Sequence, residues 1–149
     1  MTLGELLDTR APAIIQRALE AMGRAHLAHY RALGPEETKT LVEALYDTTR
    51  RAVLTRTADA LLDHADRIAE DRFTSGFDLF EVQIAFNALE EAIWREVLDR
   101  LPPDEQPEAL GLISTGLGIG KDALARGFLA RANKYRSPSV DLRALFQGL

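Results

Sequence analysis

The chain has 149 residues, a hydrophobic fraction of 46%, a charged fraction of 28% and a net charge of −5. That suits one domain with its own core and excludes a basic, phosphate-binding surface, so no nucleic-acid partner is expected. There is no cysteine, which excludes disulfides, thiolate catalysis and cysteine-based zinc or iron–sulfur centres.

No apolar run approaches the ~18–20 residues that span a bilayer. The opening MTLGELLDTRAP meets Glu5 and Asp8 before any long apolar stretch, unlike a signal peptide. A cytoplasmic protein without a membrane partner is the expectation.

Taken in order, residues 3–32 show helical apolar spacing through Leu3, Leu6, Leu7, Ile14, Ile15, Ala18, Leu19 and Met22. Pro12 would break an interior turn. A short helix to about Arg10 is therefore expected, then a second with Pro12 in its first turn. Residues 24–33 read as a frayed turn or a short extra helix. Gly34-Pro35-Glu36-Glu37 signals the next start, with both glutamates at the positive end of the helix dipole. That helix should reach Thr55 and bury Leu41, Leu45, Thr48, Ala52 and Thr55, with Val42, Tyr46, Thr49 and Val53 beside them. Thr57 is expected to cap the following helix, whose apolar positions are Ala58, Leu61, Leu62, Ala65, Ile68, Ala69 and Phe73.

Gly76 stands where a left-handed residue closes a helix, and Asp78 where a side chain opens one. Residues 77–101 form the central segment. Leu79, Val82, Phe86, Leu89, Ile93 and Val97 share one face. Phe80, Ile84, Trp94 and Leu98 make a second stripe about 100° away. A helix this apolar needs cover on more than one side. Pro102-Pro103 ends it, and Asp104 is expected to cap a helix running to about Arg136 with Leu110, Ile113, Leu117, Leu124 and Phe128 inward. A tail, 137–149, carries one amphipathic segment at Val140, Leu142, Leu145 and Phe146. The fold expected is all-α: a single globin-like or antiparallel helical-bundle domain of five to six helices over residues 1–136.

TGLGIGK at 115–121 imitates a phosphate loop but fails its pattern. Thr115 replaces the first glycine, Asp122 the Ser or Thr, and no strand precedes it. Each glycine costs about 1 kcal/mol in a helix relative to alanine. Close packing through Gly116 and Gly120, or a kink, is the expected use. His26 and His29 are three apart and His64 could join them, but the spacing is common and no metal motif surrounds it. They read as structural histidines. His64, the best axial candidate for haem, looks solvent-facing between Asp63 and Asp66. No serine has a nucleophile-elbow context, and Glu36/Glu37 and Glu90/Glu91 read as solvated surface. No enzyme, cofactor or metal site is expected.

The stretch AEDRFTSGFDLFEVQIAFNALEEAIWREVL, 69–98, resembles the N-terminal helical sensor domains of the RsbR/RsbRD type found in stressosome proteins. The resemblance is carried by Arg72, Gly76, Leu79, Glu81, Val82, Ile93 and Trp94, with weaker echoes in APAIIQRALEAM and YRALGPEETKTLVEAL. It implies a globin-like or bundle fold, homodimerisation and a sensory, stress-response role without catalysis. Such domains usually precede an output domain; none is expected within residues 137–149, and the chain reads either as a free-standing sensor or partner protein or as an excised domain. The interface residues expected on that basis and from the last two long helices are Phe80, Ile84, Trp94, Gly116, Gly120 and Phe128. The alternative is a ligand or haem carrier through His64 or the His26/His29 pair.

Overall fold

A computed structural model describes residues 1–135, and everything in the described chain is α-helix or connection. The described residues form seven helices: α1 (Leu3–Thr9), α2 (Ala11–Arg24), α3 (Ala28–Leu33), α4 (Pro35–Thr55), α5 (Asp59–Thr74), α6 (Leu79–Arg100) and α7 (Gln106–Tyr135). Five to six were expected, and the additional one is α3. Its six residues hold together because Leu27 and Tyr30 are driven into the core at its start and middle, while Gly34, at φ 98°, turns the chain before Pro35. The tail segment at Val140–Phe146 lies outside the described residues.

Local chemistry sets the boundaries. The Thr2 hydroxyl accepts from the Glu5 N–H at 3.1 Å to open α1. Pro12 sits in the first turn of α2, and Pro35 opens α4. Gly76 is left-handed at φ 83°, and the Asp78 carboxylate accepts from the Phe80 N–H at 3.0 Å. Two expected caps are corrected. Ala58 takes the cap position of α5, and Thr57 meets the Thr55 hydroxyl at 2.9 Å instead. The chain turns there through Arg56 at φ 55°, which leaves Thr55 exposed rather than buried. At the other corner Gln106 donates to the Leu98 and Leu101 carbonyls, at 3.3 and 3.0 Å, and Asp104 faces solvent.

Helix α6 is the centre. It packs against α2 on one flank and α7 on the other, with α5 behind α7 and α4 bridging α2, α5 and α7. Val82, Phe86, Leu89, Ile93 and Val97 are almost wholly buried. At about 1.5–3 kcal/mol for each large side chain, this face is a principal source of stability. Among the described residues no helix is long and apolar enough to cross a membrane.

One charged group is part of this core. Glu96, on the inner face of α6, is 3% exposed. It accepts two bonds from Arg10, both 3.1 Å, and one from Arg100 at 2.7 Å. The Arg10 hydrogen bond, reinforced by Arg100 and by both positive charges, holds the carboxyl below the usual carboxylate range against the opposing effect of burial. The clasp pins the α1–α2 corner to α6. Nearby, the Tyr46 hydroxyl donates to the Leu7 carbonyl at 2.5 Å, and burial pushes that phenol up.

Candidate functional site

The glycines of α7 fall into two groups. A Cβ on Gly120 would lie 3.1 Å from Phe86 and 3.4 Å from Leu61; one on Gly127 would lie 2.6 Å from the Ala69 Cβ. Gly116 would touch Val53 at 3.3 Å. These three let α7 approach α4, α5 and α6 of its own chain. The expected close packing is therefore present, and it is intramolecular. Gly111 and Gly118, by contrast, have nothing within 4 Å of an added Cβ.

These two open glycines begin a lane. Gly111, Gly118, Ala125 and Ala132 recur every seven residues, a spacing that keeps near one face of a helix. The lane has a known neighbour. Lys121 crosses to α6, donating to Asn87 at 2.8 Å and pairing with Glu90 at 3.7 Å. Gly118 and Ala125 lie three before and four after Lys121, so they flank that contact on the outer side. Leu129, 60% exposed, follows one turn beyond Ala125.

Across the Lys121 contact lies the outer face of α6. Phe80 is 66% exposed and Leu98 44%, while Ile84 and Trp94 are half-buried. At Phe80 and Leu98 the second apolar stripe is thus uncovered, while Ile84 packs against the chain's own core. Arg95 lies over the Trp94 ring, 5.2 Å from its centroid, and is held there by Glu91 at 2.8 Å. Of the interface residues expected from the sequence, Phe80, Ile84 and Trp94 are on this outer face. Gly120 and Phe128 are in the core, Phe128 edge-on to Phe73 at 5.8 Å. Gly116 faces Val53. Gly116, Gly120 and Phe128 thus contact their own chain. Leu129 is exposed and Gly118 and Gly111 face open space; their signal in the sequence was the seven-residue repeat of small residues, which the glycine-rich run obscured.

The three histidines do not form a set. His26 is exposed in the turn before α3, at φ 53°. His29 is committed to Glu81: its N–H donates to one carboxylate oxygen at 3.0 Å, and its Nδ1 meets the other at 2.5 Å. His64, expected to face solvent, is half-buried, and its Nε2 is buried without a hydrogen-bond partner. Burial, with the charges of Arg67, Arg72 and Arg51, lowers its pKa. Among the described residues no group of three or more His, Asp and Glu is placed to hold a metal ion.

A second polar cluster sits under α3. Arg72 on α5 is 5% exposed, pairs through Nη1 with Asp71 at 2.5 Å, and lies 5.9 Å from the Phe77 ring centroid. Tyr30 meets Phe77 edge-on at 4.9 Å, and His29 lies beside the same ring at 5.1 Å. Burial raises the Tyr30 phenol, and the Arg72 guanidinium beside it acts in the opposite direction. The Arg72 Nε has no hydrogen-bond partner.

No family model matches the chain, and comparison with curated proteins and with solved structures yields no match.

Proposed function

We propose that this chain is a non-enzymatic bacterial signalling module, globin-like in packing, that acts as a cytoplasmic homodimer and transmits a sensed state by protein contact. The resemblance of residues 69–98 to RsbR/RsbRD-type sensor domains implies that role, including its place in a stress response. The observation that carries it is the outer face of α6 and α7. Phe80, Trp94, Leu98 and Leu129 present apolar surface beside glycines that no intramolecular contact uses. Helical glycines with open space are destabilising by about 1 kcal/mol each, and a second helix drawn close over them gives that cost a purpose. A twofold axis through this face lets one patch serve both copies.

The alternative, a haem carrier through His64 or the His26/His29 pair, has less support. His29 is engaged by Glu81. Light scattering across micromolar concentrations tests the proposal. A dimer mass is expected; a strict monomer at high micromolar concentration contradicts it.

A further inference from the structure

The net charge of −5 belongs to the whole chain, and it is not evenly spread. A groove of about 330 Å³ between α2 and α6 is lined by three arginines, Arg17, Arg24 and Arg95. The groove stays open because the positions along its floor are alanine: Ala21 on α2, Ala88 and Ala92 on α6. A longer side chain at any of them would fill the seam between the helices.

The three arginines differ in what holds them. Arg95 lies over the Trp94 ring and pairs with Glu91. Arg17 and Arg24 have no hydrogen-bond or ion-pair partner among the described residues. At the far end of the same two helices the arginines are engaged, since Arg10 and Arg100 both close on Glu96. Arg17 and Arg24 are seven residues apart, two helical turns, so they share one face of α2 with Ala21 between them. Arg17 is half-buried, and its guanidinium still opens into the groove without an acceptor.

Two carboxylates also line the groove, Glu20 and Glu91. Glu91 is paired with Arg95, and Glu20 accepts from the Gln16 amide at 3.2 Å. Three positive and two negative side chains leave the groove positive by one charge, and the attraction it exerts grows with the charge of the ligand. A phosphate monoester carries close to two negative charges and three acceptor oxygens, against one charge and two oxygens for a carboxylate. Its oxygens can accept from guanidiniums on either side of Ala21, and the groove has room for an organic body over the alanines. We infer that the α2–α6 groove binds a small organic phosphate monoester, with the phosphate between Arg17 and Arg24. Only exposed side chains have to turn for this. For its role as a sensed signal the site rests on the reading above, because Arg95 and Trp94 belong to the outer face of α6. The binding itself does not depend on the oligomeric state.

Isothermal titration calorimetry with phenyl phosphate, benzoate and inorganic phosphate tests it, at a pH of about 8 where the phosphate group is a dianion. Trp94 is the single tryptophan of the chain, and Arg95 lies against it, so its fluorescence reports where the ligand sits. Phenyl phosphate is expected to bind one site per chain and to change the Trp94 emission. It should bind at least about tenfold more tightly than benzoate, the worth of one more hydrogen bond to a charged donor, and more tightly than inorganic phosphate, which has no body to lay over the alanines. The double variant Arg17→Gln/Arg24→Gln should weaken phenyl phosphate by at least about tenfold. Neither side chain belongs to the core, so its circular dichroism should be unchanged. Arg67→Gln removes one positive charge outside the groove and should bind like the unaltered chain. The site is overturned by a titration without saturable heat, by benzoate or inorganic phosphate binding as tightly as phenyl phosphate, by a double variant that binds unchanged, or by Arg67→Gln weakening binding as much as the double variant does. A dimer that ignores phenyl phosphate removes the site and keeps the signalling reading. A monomer that binds it keeps the site and removes the dimer.

Discussion

The inner and outer lanes of α7 use the same residue for opposite reasons. On the inner lane Gly120 and Gly127 are pressed against Phe86, Leu61 and Ala69, so a single methyl group has no room. On the outer lane Gly111 and Gly118 meet nothing. The inner glycines are accounted for by the fold of one chain. The outer ones are not, and they lie beside the face of α6 that exposes Phe80 and Leu98. The contrast separates what builds the domain from what is available to a partner.

The strongest way to sharpen that contrast is to enlarge an inner glycine. Gly127→Val and Gly120→Val should each destabilise the domain by about 2–3 kcal/mol through overpacking, read as a lower urea midpoint at unchanged slope. A loss no larger than that of an exposed substitution would remove the distinction between the lanes.

The inner side of α6 adds a pH signature. The Glu96 carboxyl has a lowered pKa in the fold, held by Arg10 and Arg100. Its contribution is complete above the ordinary carboxylate pKa of about 4.3 and is lost as pH falls through the lowered folded value. His64 has a lowered pKa too, from burial and three arginines. For a base this means that the unfolded chain takes up the proton first, so stability declines as pH falls below about 6.5. Urea midpoints should therefore drop in two steps. Glu96→Gln should remove the more acidic step, and His64→Gln the nearer one. A profile unchanged in both variants would contradict these assignments.

Asp78→Ala, at the start of α6, should cost about 1 kcal/mol for the lost cap, measured by thermal denaturation. The smallest expected effect is also the most diagnostic of the outer lane. Gly111→Ala and Gly118→Ala should each stabilise the dilute chain by about 0.8–1 kcal/mol through helix propensity, while raising the dimer dissociation constant. Stabilisation without any effect on association would detach the outer lane from the interface.

Much of the fold was legible in the sequence because its signals are local. Pro12, Pro35, Gly76 with Asp78, and Pro102-Pro103 mark helix ends through the backbone chemistry of those residues alone, and the Val82–Val97 stripe follows from helical geometry. What was not legible depended on distant partners. Thr57 lost its capping role because the chain turned through Arg56 in the left-handed region. His64 became half-buried despite acidic neighbours, since sequence neighbours on a helix point in different directions. The pairing of Glu96 with Arg10, 86 positions away, has no local signature. Among the candidate interface residues, Phe80 was separable from Phe128 only once α5 was in place, because both satisfy helical apolar spacing and Phe73 covers one of them.

Sedimentation equilibrium on the chain and on the double variant Phe80→Glu/Leu129→Glu tests the central claim, that the outer face of α6 and α7 binds a second copy. Both substitutions are on exposed side chains, so the circular dichroism spectrum should be unchanged. The account predicts a dimer that becomes a monomer in the variant at the same concentration. A chain that is monomeric to begin with, or a dimer that survives both charges, would contradict it.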